Sequence, residues 1–115
     1  MTGFEVTQKM NQDIAVLYLK GFLDAHTAPD LEKAFKDLIE EHKYNILVNF
    51  FDLDYISSAG LGVFMGFIEK IRENNGDIRM SNMTPKVFKI FDLLGFPKLY
   101  RIFKNEQEAL TSFTE

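Results

Sequence analysis

Cysteine is absent from the 115 residues, which excludes disulfides, thiol nucleophiles and Cys-ligated metal sites at once. Histidine is nearly absent, with His26 and His42 the only two, so few pairings of a nucleophile with an imidazole base can be drawn. No Lys/Arg block occurs. The 13 basic residues face 17 acidic ones for a formal charge of −4. A domain of that sign repels phosphate backbones and anionic headgroups, which argues against nucleic acid and membrane as partners. Apolar runs are short: a stretch such as Val63 to Ile68 is far below the ~20 residues of a membrane span. The opening Met-Thr-Gly-Phe-Glu has no basic segment followed by an apolar one, so no secretory leader is expected. Repeats, linkers and low-complexity segments are missing too.

Apolar material is plentiful. Hydrophobic residues make up 46% of the chain, and 12 of its 16 aromatics are Phe. That is enough for one core, and a chain of this length is expected to fold as one domain, residues 1–115, with a radius of gyration of roughly 13 Å.

The periodicities alternate between strand and helix. Phe4 to Met10 and Ile14 to Leu19 flank the turn residues Asn11-Gln12-Asp13 and read as an antiparallel hairpin, its second strand buried on both faces. Thr27-Ala28-Pro29-Asp30 has the form of a helix start, with a capping hydroxyl, an early proline and an acid at the third position. Leu31, Ala34, Phe35, Leu38 and Ile39 continue it as one apolar stripe. Ile46, Leu47, Val48, Phe50 and Phe51 predict a buried strand ending at Asp52-Leu53-Asp54. From Ser58, the spacing of Leu61, Phe64, Ile68 and Ile71, widened by Val63 and Phe67, is helical until Asn74-Asn75-Gly76-Asp77. A short strand over 78–83 follows, then a helix opened by Thr84-Pro85, carrying Val87, Phe88, Phe91 and Leu94 and closed by Gly95. A strand over 99–103 and a helix capped at Asn105 complete the chain. The order β-β-α-β-α-β-α-β-α predicts an α/β domain: a mostly parallel sheet with an opening antiparallel hairpin, flanked by four helices.

In such sheets the functional crevice lies beyond the carboxyl ends of the parallel strands. Two loops are expected to meet there, one from Gly21 to Thr27 containing Asp24, the other from Asp52 to Ser58. Ser58 stands where an N-cap belongs, with its hydroxyl facing the free N–H groups of Gly60 and Leu61 at the positive end of the helix dipole. Gly60 and Gly62 leave room for close approach. From the residues alone two readings stay open: a cap with tight helix–sheet packing, or an anion site at the helix start. A serine hydrolase lacks support, because the strand–Gly-x-Ser-x-Gly–helix signature is missing and His42 belongs to a charged helix face. Asp24, Asp52 and Asp54 leave room for a metal or phosphoryl site, but three Asp on two loops are also an ordinary turn population. Phe residues at helical spacing read as core.

The stretches Gly21-x-Leu23-Asp24-x-x-Thr27 and Asp52-Leu53-x-Tyr55-Ile56-Ser57-Ser58-Ala59-Gly60-Leu61-Gly62, with Thr84-Pro85-x-Val87-x-x-x-Phe91-x-x-x-Gly95, closely resemble the STAS-domain anti-sigma factor antagonists. The resemblance spans essentially the whole chain. It implies a cytoplasmic, cofactor-free regulator of transcription and stress signalling, without catalytic or metal-binding residues. In its unphosphorylated form such a protein binds an anti-sigma factor that is also a GHKL-type serine kinase, and so releases a sigma factor. The kinase phosphorylates one serine at this helix start, and a PPM-type phosphatase reverses it. The matching acceptor is Ser58, with Ser57 second. The implied partner face comprises Asp24, Thr27, Ser57, Ser58, Gly60, Leu61 and Gly62. Many members carry Asp where this chain has Ser57, and Ser or Thr where it has Ala59. The alternatives are a STAS scaffold or ligand-binding module that is not phosphorylated, and a nucleotide-binding hydrolase using the Asp cluster.

Overall fold

The computed structural model describes residues 3–115. Strand β1 (Phe4–Asn11) turns at Gln12-Asp13 into β2 (Ile14–Leu23), and α1 (Ala28–Glu40), β3 (Asn45–Ile56), α2 (Ser58–Glu73), β4 (Asp77–Ser81), α3 (Pro85–Leu93), β5 (Ile102–Phe103) and α4 (Glu106–Ser112) follow. The five strands lie in the order β1-β2-β3-β4-β5, with β1 antiparallel to β2 and the remaining pairs parallel. Right-handed crossovers that step one strand at a time in one direction place every intervening helix on one face of the sheet. So α1, α2 and α3 share one side and cover the main core, in which Leu17, Leu19, Phe35, Val48, Phe50, Phe64, Ile78 and Phe91 are fully enclosed. Helix α4 returns to the other side and closes a smaller cluster of Ile14, Val16, Leu47, Ala109 and Leu110. The radius of gyration is 12.9 Å, matching the expectation for one domain of this length.

Element order and sheet composition agree with the sequence reading; several local expectations do not. Thr27 occupies the N-cap of α1 but its side chain does not cap. The hydroxyl turns back, donating to the Phe22 carbonyl and accepting from Asp24 N–H, both at 2.9 Å. The N-cap of α2 is Ser57, whose Oγ accepts from Gly60 N–H at 3.4 Å, while Ser58 is the first helical residue. Leu61 N–H bonds the Ser57 carbonyl at 3.0 Å, so the two N–H groups assigned to Ser58 are already satisfied by Ser57. Strand β3 runs on to Ile56, and Phe51 is exposed rather than buried, because the β2–β3 register shifts there. In α3, Val87 and Phe91 face the core while Phe88 and Leu94 face solvent. The stretch expected as a strand over 99–103 shortens to Ile102–Phe103, after a single 3-10 turn at Phe96–Lys98. Gly95 takes the positive φ of 78° that ends α3.

Candidate functional site

Parallel pairing of β2 with β3 brings Leu23 opposite Ile56, and Ser57 N–H closes onto the Leu23 carbonyl at 2.9 Å. The turn leaving β2 and the entry to α2 are therefore one rim at the carboxyl end of the sheet, where an open α/β fold presents its ligands.

The β2–α1 turn is fixed by its own polar groups. Asp24 Oδ1 accepts from the backbone N–H of His26 at 2.9 Å and of Thr27 at 3.3 Å, and the Asp24 carbonyl accepts from Ala28 N–H at 2.8 Å. One carboxylate oxygen of the half-buried Asp24 thus builds the turn, and the other has no donor among the described residues. Thr27 acts as the strut beneath it through its bonds to Phe22 and Asp24. His26 is exposed and enters this network by its backbone alone.

On the α2 side, Ser57 is half-buried and Ser58 exposed. The Ser57 hydroxyl is engaged as the cap. The Ser58 hydroxyl has no hydrogen bond among the described residues and stands at the helix N-terminus, where the dipole favours negative charge. Beneath it the chain is closely packed. Gly60 is buried, and a Cβ there would lie 2.7 Å from Leu23 Cγ and 3.0 Å from Ile56 Cγ1. Leu61 is 5% exposed and belongs to the core. These two residues point inward and support the rim from below. Gly62, by contrast, is exposed, with nothing within 4 Å of a Cβ placed on it. The structure therefore brings Asp24, Thr27, Ser57, Ser58 and Gly62 to one surface and turns Gly60 and Leu61 away from it.

Sequence reasoning missed the apolar groups around this rim. Phe22 and Tyr55 are exposed with ring centroids 6.1 Å apart, and Met65 is exposed two turns along α2. No sequence signal pairs them: an even register would set Phe22 against Leu53, and two shifts between β2 and β3 bring Tyr55 opposite instead. The three aspartates do not converge: Asp24 is held in its turn, whereas Asp52 and Asp54 line a hollow beside Lys20. No group of three or more His, Asp or Glu among the described residues is arranged to hold a metal ion, and no helix among them is long and apolar enough to cross a membrane.

The family model of the STAS domain matches residues 5–109. The anti-sigma F factor antagonist of Paenibacillus polymyxa is 26% identical over 110 residues, covering 95% of this chain and 94% of that protein. Among solved structures, an anti-sigma factor antagonist from Mycobacterium paratuberculosis superposes with a TM-score of 0.89 at 20% identity, covering 97% of this chain and 95% of the other. The anti-sigma factor antagonist SpoIIAA in its unphosphorylated form gives 0.82 at 23% identity over 96% of each chain. The phosphorylated form of SpoIIAA, described as a Bacillus cell fate determinant, gives 0.74 at 22% identity over 95% of this chain and 99% of the other. With the order of strands, the rim at their carboxyl ends and a family match that runs from β1 into α4, the chain belongs to the STAS-domain family.

Proposed function

We infer that this protein is an anti-sigma factor antagonist whose binding to an anti-sigma factor is switched by phosphorylation of Ser58. The observation that carries the reading is the division of labour between two adjacent hydroxyls. Ser57 is held as the N-cap of α2, while Ser58 presents an unengaged hydroxyl to solvent at the same helix end. Relatives named anti-sigma F and anti-sigma-B factor antagonists support the regulatory role, and the neighbour SpoIIAA is described in unphosphorylated and phosphorylated forms.

The chemistry suits a switch that leaves the fold in place. A phosphate on Ser58 meets the Ser58 and Ala59 N–H groups, which have no partner among the described residues, and the positive end of the α2 dipole, an interaction of ~0.3–1 kcal/mol or more. It adds ~1.5–2 negative charges to the middle of a docking surface. A penalty of ~3–4 kcal/mol against acidic or apolar partner groups weakens binding by two to three decades. The partner is an anti-sigma factor with serine kinase activity of the GHKL type, and a PPM-type phosphatase restores the binding form. Asp24, Thr27, Ser57, Ser58 and Gly62 form the contact surface, and the domain, residues 1–115, acts in the cytoplasm as a regulator with no catalytic group or cofactor of its own.

The test is intact-mass analysis after incubation with the cognate kinase and ATP. One phosphate is expected on the native protein and on Ser57→Ala, and none on Ser58→Ala. Phosphate that persists in Ser58→Ala and disappears in Ser57→Ala moves the acceptor by one residue; none on the native protein defeats the reading. A pull-down with Ser58→Ala is expected to retain the kinase, and one with Ser58→Asp to lose it.

A further inference from the structure

Strand β3 places its core residues at an uneven spacing. Val48 and Phe50 point into the main core two residues apart, but the next two inward residues, Leu53 and Ile56, follow at intervals of three. The pairing with β2 explains this. Tyr18 lies opposite Asn49, Lys20 opposite Asp52, Gly21 opposite Leu53 and Phe22 opposite Tyr55, so β3 gains one residue on β2 at each of two successive bulges. A regular strand sends one residue outward between each inward pair. Here the outward side receives Phe51 with Asp52, then Asp54 with Tyr55.

These residues reach the side of the sheet that carries α4, opposite the side on which α2 packs. Helix α4 covers only the first half of that side, over Ile14, Val16 and Leu47. Beyond it no helix among the described residues covers the sheet. Phe51 is 69% exposed, Phe22 50% and Tyr55 40%, an unusual concentration of large apolar groups on paired strands. Of the three, Phe51 lines a hollow of about 600 Å³ together with Glu5, Lys20, Asp52 and Asp54 among others. None of its four charged residues forms an ion pair among the described residues, and three of the four are carboxylates.

We propose that this double-bulged face is a second docking surface, and that its occupant is a basic segment of a protein partner. The charge selects the sign, since carboxylates outnumber the single Lys20 three to one. The rings select the residue type: guanidinium groups stack on exposed aromatic faces while pairing with adjacent carboxylates. A segment presenting arginines next to apolar side chains satisfies Phe22, Phe51 and Tyr55 together with Asp52 and Asp54. Phe22 and Tyr55 lie where this face meets the rim, while Phe51 and Asp52 lie further back along β3, away from Ser58.

The probe is a fluorescein-labelled nonapeptide of alternating Arg and Leu, with a Glu–Leu counterpart as control, titrated against ¹⁵N-labelled protein by anisotropy and amide shifts. The Arg peptide is expected to bind with shifts centred on Lys20–Phe22 and Phe51–Tyr55, while the Glu peptide does not bind. Phe51→Ser, which leaves the net charge unchanged, is expected to weaken binding at least tenfold. Asp52→Asn with Asp54→Asn weakens it similarly and flattens its salt dependence, and Ser58→Ala leaves it unaltered. Unchanged affinity in Phe51→Ser reduces the effect to diffuse attraction and overturns the proposal. So do shifts centred elsewhere, or equal binding of the Glu peptide. A concentration-dependent dimer that Phe51→Ser dissociates assigns the face to a second copy of the chain and overturns it as well.

Discussion

At the residue scale, three glycines of α2 that look alike in sequence have opposite consequences. Glycine in a helix costs roughly 1 kcal/mol relative to alanine, so each substitution by Ala gains helix propensity. At Gly60 that gain meets Leu23 Cγ at 2.7 Å and Ile56 Cγ1 at 3.0 Å. Both are buried, and the second belongs to the strand that leads into the rim. Overpacking of this kind typically costs ~1–3 kcal/mol, so Gly60→Ala is expected to lower the urea midpoint and to loosen the Ser57–Leu23 closure. At Gly62 and Gly66 nothing lies within 4 Å of the added carbon, and alanine is expected to raise stability by up to ~1 kcal/mol at each. Urea unfolding of the three single variants checks this, and a stabilised Gly60→Ala would contradict the packing argument. The sequence-based view that Gly60 and Gly62 both serve close approach holds for Gly60 alone. Spacing says where glycine stands; which side of the helix meets β2 depends on where α2 begins. That start was one residue off, because two adjacent serines offer equivalent caps and only the β2–β3 closure chooses Ser57.

At the element scale, α4 is a seven-residue helix, too short to persist without tertiary support, and one side chain ties its start to the sheet. Glu106 Oε1 accepts from Asn49 Nδ2 at 2.9 Å, and Oε2 from the Tyr18 hydroxyl at 3.1 Å, bridging residues paired across β2 and β3. Asn49 is buried and its Oδ1 in turn accepts from Phe51 N–H at 2.9 Å, at the first bulge. Glu106→Ala leaves two donors without an acceptor and is expected to cost ~1–3 kcal/mol. Glu106→Gln retains one acceptor oxygen and is expected to cost less. Amide hydrogen exchange is the discriminating readout. Faster exchange in α4 and around Phe51, with the α1–α2 side unchanged, identifies a local clamp, whereas uniform acceleration denies it. The elements themselves were legible because strand and helix periods alternate cleanly and because Thr84-Pro85, Gly95 and Asn105 punctuate them. The bulges were not. A contiguous Phe50-Phe51 reads as buried strand, and the register shift that expels Phe51 depends on β2, a strand distant in sequence.

At the scale of the whole molecule, two tyrosines on opposite sides of the sheet make stability depend on alkaline pH. Tyr18, on the α4 side, has its phenol pushed up to about 12, mainly by burial and further by its hydrogen bond to Glu106. Tyr100 is 2% exposed in the main core, with its ring 5.4 Å from Phe96 and the Arg72 guanidinium 5.7 Å from its centroid. Burial pushes its phenol up to about 12 as well, with Arg72 opposing and Asp77 assisting. Unfolded, both titrate near 10. Below that pH the two states bind the same phenolic protons, and these groups give stability no slope. Between about pH 10 and 12 the unfolded chain releases protons that the folded chain retains, so unfolding gains free energy and stability declines through that window. The folded advantage is thus present below pH 10 and lost as pH approaches 12. Tyr100→Phe, which gives up only a 3.9 Å contact with Met65 sulfur, is expected to flatten the decline with little change at neutral pH. Tyr18→Phe flattens it too, but from a lower starting stability, since it removes a donor to Glu106. Urea midpoints from neutrality to pH 12 for the native protein and both variants decide the matter. If the alkaline slope is unaltered in the double Phe variant, the two phenols do not govern it.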